Sequence, residues 1–145
     1  MQASGSLEWW ETPLARENYK HYFVTQGSWQ NNTFTVPVDC SRDTTVGWDR
    51  WLCAITRSVW VRVIADEAWG VWLESLQRPE GAVRSPFYRV VGSDHAAMYE
   101  KYLRGVGRLK ADDLLREYLI ASMENEIHIL SFDEPSFSQI KPAAN

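Results

Sequence analysis

No stretch of this chain approaches the length of a membrane span. A spanning helix needs about 20 predominantly apolar residues, so no contact with a membrane is expected. Cysteine is scarce. Cys40 and Cys53 form no Cys-x-x-Cys, which excludes the tightly spaced pairs of zinc and redox motifs. Two unpaired thiols suit a reducing compartment, so a cytoplasmic location is expected. Met1–Ser6 offers neither a basic n-region nor an apolar h-region, so the sequence reads as having no signal peptide. The Asn31-Asn32-Thr33 sequon then carries no weight.

Basic excess is also missing. Nineteen acidic residues oppose 15 basic ones, for a net charge of −4, which argues against a nucleic-acid surface. The three histidines are isolated from one another, and a metal site needs convergent ligands. No metal and no cofactor are therefore expected. Gly47-Trp48-Asp49 is the single tryptophan–aspartate dipeptide, whereas a propeller repeats one about every 40 residues.

Tryptophan is abundant instead. The chain has eight, and Trp48, Trp51, Trp60, Trp69 and Trp72 fall in one 25-residue stretch. Each brings a large apolar surface and one N–H that needs a partner when buried, so such a chain builds an aromatic core or an aromatic surface. Eleven of the 15 basic residues are arginine, the cation suited to carboxylate and phosphate forks and to stacking on rings. Residues 71–110 are basic on balance and 111–145 acidic, an asymmetry able to steer a partner.

Ser6 followed by Trp9, Trp10 and Leu14 predicts a short helix over residues 6–18, with Pro13 as a disturbance. Tyr19–Gln26 and Thr33–Val38 are aromatic and β-branched around a polar segment, the pattern of a β-hairpin with a six-residue loop. Pro37 has no N–H for a ladder, which points to an edge strand. Trp48, Trp51, Leu52 and Ile55 follow helical spacing. Ser58–Ala65 reads as a strand, with continuation of the helix as the alternative. Trp69, Trp72, Leu73 and Leu76 after Asp66 predict another helix, stopped by Pro79 and Gly81. Pro86–Val91 reads as a strand. Ser93 or Asp94 caps a helix bearing Ala96, Tyr99, Leu103 and Val106, which Gly105 and Gly107 end. Lys110–Arg116 looks helical, residues 117–122 fit either helix or strand, and Ile127–Phe132 is a strand.

Strands and helices without strict alternation, starting from a hairpin, imply an α+β domain. The expected domain is residues 1–132: a mainly antiparallel sheet with three to four helices on one face. Residues 133–145 are expected to form a mobile tail, pinned only at Phe137 and Ile140.

Candidate chemistry is sparse. His95, in Ser93-Asp94-His95, and Cys40, in a polar segment, are the two weak catalytic candidates. A triad needs spatial rather than sequential neighbours, and a reactive thiol needs a lowered pKa. Arg50, Arg57 and Arg62 interleave with Trp48, Trp51 and Trp60, the makings of an arginine-anchored, tryptophan-walled pocket. Trp60 would share a strand with Val59, Val61 and Val63 but face the other way. Trp29 sits alone in the polar hairpin loop, where a projecting tryptophan is a candidate hot spot. The expected function is a non-catalytic binding domain that engages a protein partner, or itself, through aromatic surface. The alternative is a small-molecule-binding protein or enzyme.

Overall fold

The expected hairpin is present but tighter than its sequence suggested. In the computed structural model, which describes residues 5–65, 85–110, 112–121 and 125–141, strand β2 (His21–Val24) pairs antiparallel with β4 (Thr33–Ser41). The intervening segment contains its own strand, β3 (Ser28–Gln30), which also pairs with β4. The turn shrinks to Asn31-Asn32, both at positive φ (48° and 65°). Asparagine tolerates that left-handed conformation better than most residues, and it matches the twist that two-residue hairpin turns require.

β4 is central, not an edge. It is flanked by β2 and β3 on one side and by β5 (Asp49–Ile55) on the other. Pro37 is accommodated because the β2–β3 side is interrupted beside it. Its carbonyl accepts the Thr25 N–H at 3.2 Å, and Thr25 lies in the break between the two strands. Its missing N–H therefore falls at a gap in the ladder.

The expected α+β architecture is overturned. Among the described residues ten strands form two antiparallel sheets, with one α-helix. The first sheet runs β1 (Ser6–Trp9), β7 (Phe87–Val91), β8 (Arg116–Ala121), β9 (Asn125–Ser131), β6 (Ser58–Ala65). The second runs β10 (Ser136–Ile140), β5, β4, β2, with β3 beside β4.

Three expected helices resolve differently. Residues 6–18 give β1 and a 3₁₀ turn over Pro13–Glu17, ended by Asn18 at φ 55°. The helix expected from Trp48 to Ile55 is instead β5, which begins after Trp48. Its alternate residues Trp51, Cys53 and Ile55 are buried, so period two prevails over helical spacing because β4 and β10 supply hydrogen bonds on both sides. The helix expected over Lys110–Arg116 is replaced, among its described residues, by a turn leading into β8: Asp113 accepts the Lys110 N–H on its carboxylate at 3.0 Å, offering the backbone an alternative to helix. The helix expected after Asp66, with Trp69, Trp72, Leu73 and Leu76, lies outside the described residues.

Several other expected elements are present. Residues 58–65, 87–91 and 125–131 are strands, and the ambiguous 116–121 is one too. Helix α1 (Asp94–Gly105) is capped by Ser93, whose Oγ accepts the Ala96 N–H at 3.1 Å. Within the segment expected as a tail, Ser136–Ile140 pairs with β5 and Phe137 packs against the core.

One apolar core lies between the sheets. Val24, Phe34, Val36, Val38, Cys53 and Ile55 come from the second sheet, and Phe87, Tyr118, Ile120, Ile127 and Ile129 from the first. Trp10 sits among the rings of Tyr118, Phe137 and Phe87, at 4.7, 5.4 and 5.7 Å between centroids. Its indole N–H donates to Glu134 at 3.1 Å, which satisfies its one polar atom.

Candidate functional site

The outer face of the second sheet is built by alternation. Along β4 the even-numbered side chains from Phe34 to Cys40 are buried, so the odd-numbered ones, Asp39 among them, point outward. Register places Phe23 of β2, Asp39 of β4 and Arg50 of β5 in one row. Arg50 forks onto Asp39, donating from Nε at 2.8 Å and from an Nη at 3.1 Å. That bond holds the Arg50 proton more firmly than in a free guanidinium. Trp48 stands just before β5, held out by the Asp43–Gly47 turn, in which Thr45 donates to the Asp43 carboxylate. These hydrogen bonds lower the Asp43 pKa.

Phe23, Asp39 and Trp48 line a shallow hollow of about 420 Å³. Both rings are open: Phe23 is 42 % exposed and Trp48 is 50 %. Large apolar side chains this open are informative when they share a concavity. Sequence reasoning placed Trp48 on a helix and did not single out Phe23 or Asp39. The signal available was the alternation of Tyr22, Phe23 and Val24, which requires one of them to face outward.

The candidate residues do not gather in one pocket. Arg50 is on the second sheet. Arg57 lies in the β5–β6 turn, over the Phe132 ring at 5.2 Å and near Asp113 and Asp133 at 3.5 and 3.4 Å. Arg62 lies opposite His128 on the first sheet. Trp51 belongs to the core side, where its indole N–H donates to Tyr19 Oη at 3.0 Å and that hydroxyl donates to Asp49 at 2.7 Å. Burial raises the Tyr19 pKa. Trp29 is 55 % exposed and rests against Phe34, with centroids 5.1 Å apart.

Trp60 is half-buried beneath α1, beside Ala96, Leu115 and Leu130. His95 lies 5.8 Å from its ring. His95 also approaches Glu117 of β8, with Nδ1 3.4 Å from Oε1. Two strands of the first sheet thus carry acidic side chains inside apolar runs. Glu126 and His128 of β9 form a second buried pair at 3.3 Å. Charged residues within Arg116–Ala121 and Asn125–Ser131 were the sequence signal for this, because a fully buried strand is normally apolar throughout.

Cys40 is fully buried in β4, and burial pushes its thiol pKa up to about 12, reinforced by Asp39 and Asp49. A nucleophilic thiol needs the opposite shift. Burial also raises the Cys53 pKa. Among the described residues no group of three or more His, Cys, Asp or Glu side chains has metal-binding geometry, and no helix is long and apolar enough to cross a membrane.

Comparison with known protein families, characterised proteins and solved structures finds no match.

Proposed function

We propose that this chain is a non-catalytic binding domain that engages a protein partner through the open face of its second sheet. The supporting observation is the Phe23–Trp48 hollow, with the Asp39–Arg50 fork in the same row. Tryptophan and arginine are the residues most enriched where interfaces concentrate binding energy. The partner chemistry follows from the lining: an apolar side chain enters between the rings, flanked by basic residues that meet Asp39 and the net charge of −4. Trp29 is exposed as well, but it pairs with the inward-facing Phe34 and so lies on the other face of the sheet, apart from this hollow.

The test is selection of a displayed random-peptide library on the full chain, followed by fluorescence anisotropy. Enriched peptides should share one large apolar residue next to Lys or Arg. Trp48→Ala should weaken them at least tenfold, with unchanged circular dichroism. Absence of enrichment, or affinity indifferent to Trp48→Ala, overturns the proposal. A concentration-dependent mass in analytical ultracentrifugation, abolished by Trp48→Ala, would replace the foreign partner with a second copy.

The hollow also favours a second reading. Its volume is within the range of roughly 300–1,000 Å³ usual for small-molecule sites, with Trp48 as a wall and Arg50 behind Asp39. A saturable change in tryptophan fluorescence with one metabolite class would support it.

A further inference from the structure

A different cavity lies on the first sheet, where the first turns of α1 cross the ends of β7 and β8. It measures about 380 Å³. Glu117 lines it, only 4 % exposed. The Oε1 atom of this carboxylate is buried and has no hydrogen bond. His95 Nδ1 is 3.4 Å from that oxygen, close enough for charge attraction but not aligned as a hydrogen bond. Buried polar atoms in folded proteins nearly always have a hydrogen-bond partner, and an exception that lines a cavity points to a ligand able to donate to it.

The lining says what kind of counterpart fits. Charged side chains lining the cavity are Glu8, Glu100 and Glu117 against Arg89 and Arg116. Glu8 faces Arg89 at 3.8 Å, and Glu100 faces Arg104 at 2.9 Å. Glu117 is therefore the carboxylate with acceptor capacity to spare. An anion at this helix N-terminus would meet three carboxylates. A metal ion would need ligands converging on a point, and these do not converge. Val90, Ala96 and Leu115 supply apolar wall. A single ammonium donates directly to a carboxylate, and charge-assisted bonds of this type are the stronger class.

We infer that this cavity binds a small primary amine, a monocation with a short apolar body whose ammonium donates to Glu117. The site is on the opposite sheet from the aromatic hollow and does not depend on the protein-partner proposal.

The test is isothermal calorimetry of the full chain with isobutylamine, its neutral isostere isobutanol, 1,4-diaminobutane and L-valine. Amide chemical shifts at Val90, Ser93 and Ala96 locate any binding. Isobutylamine should bind saturably at this location, and isobutanol at least tenfold more weakly. Glu117→Gln, which keeps the side-chain volume and removes the charge, should weaken isobutylamine at least tenfold. Ala97→Leu narrows the cavity from an exposed helix position and should do the same, which covers the case in which Glu117→Gln fails to fold. The other two ligands identify the source of the amine. Binding of L-valine as tight as isobutylamine marks an amino acid, and tighter binding of 1,4-diaminobutane contradicts the single-charge match and overturns the monocation assignment. Equal binding of amine and alcohol, no saturable binding of any of these amines, or a folded Glu117→Gln that binds isobutylamine as the wild type does would also overturn the inference.

Discussion

On the first sheet, the outward residues Leu119, His128 and Leu130 are as buried as the inward residues Tyr118, Ile120 and Ile129. On the second sheet, the inward residues Val36, Val38 and Cys53 are buried, while outward residues such as Phe23 and Arg50 are open. Both sheets are antiparallel and share one core, so strand pairing does not explain the contrast. Covering does: over the first sheet Ala96 of α1 packs on Leu115 and Leu130, and Leu119 is enclosed with Leu7, Tyr88 and Val90, while the outer face of the second lies open around the Phe23–Trp48 hollow. A covered face can hold buried acids and a cavity, whereas an open face can meet a partner without rearrangement.

The largest effect that sharpens this comparison is expected from truncations on the two outer faces. Leu119→Ala should cost about 2–5 kcal/mol, the range for emptying a buried leucine site. Phe23→Ala should stay within about 0.5 kcal/mol, as surface substitutions usually do. Urea unfolding measures both, and similar losses at the two positions would break the contrast.

Alkaline pH probes the inner face of the second sheet. Burial raises Cys40 from 9.0 to about 12 and Tyr22 from 10.0 to about 12. Between those values the native state keeps protons that the unfolded chain has released, so stability is complete below about pH 9 and falls as pH rises toward 12. The urea midpoint should therefore drop between about pH 8 and pH 10.5, and Cys40→Ala should flatten the decline. An unchanged slope in that variant would show that Cys40 does not drive it.

A smaller effect is expected from Tyr118→Phe. Tyr118 is fully buried and its hydroxyl has no hydrogen bond. Removing an unsatisfied polar atom should leave stability unchanged or raise it by about 1 kcal/mol. A clear loss would mean that the hydroxyl is satisfied in solution. The smallest effect is expected from Arg50→Ala, whose exposed fork should leave the melting temperature unchanged, while affinity for a basic-flanked partner selected on this face rises, because Asp39 loses its competing cation.

Several elements of the fold were legible locally, though its class was not. The β-branched run of β6, the cap at Ser93 and the hairpin around Asn31-Asn32 depend on neighbours a few residues away. The β5 segment was not legible, because Trp48, Trp51, Leu52 and Ile55 satisfy helical spacing while Trp51, Cys53 and Ile55 satisfy period two. Only the ladders to β4 and β10, which come from distant sequence, separate the two. The candidate site was less legible still. Arg50, Arg57 and Arg62 are close in sequence, yet a turn and a change of sheet send them to three different surroundings.

The sequence by itself determined strand-forming runs, turn residues and a helix cap, because each rests on backbone preference or short-range pattern. Only the tertiary structure decided that the chain is two packed sheets rather than one sheet under helices. It also decided that Glu117 is buried beside a cavity and that Trp48 stands open. Burial is set by what covers a residue, and here the covering elements lie far away along the chain.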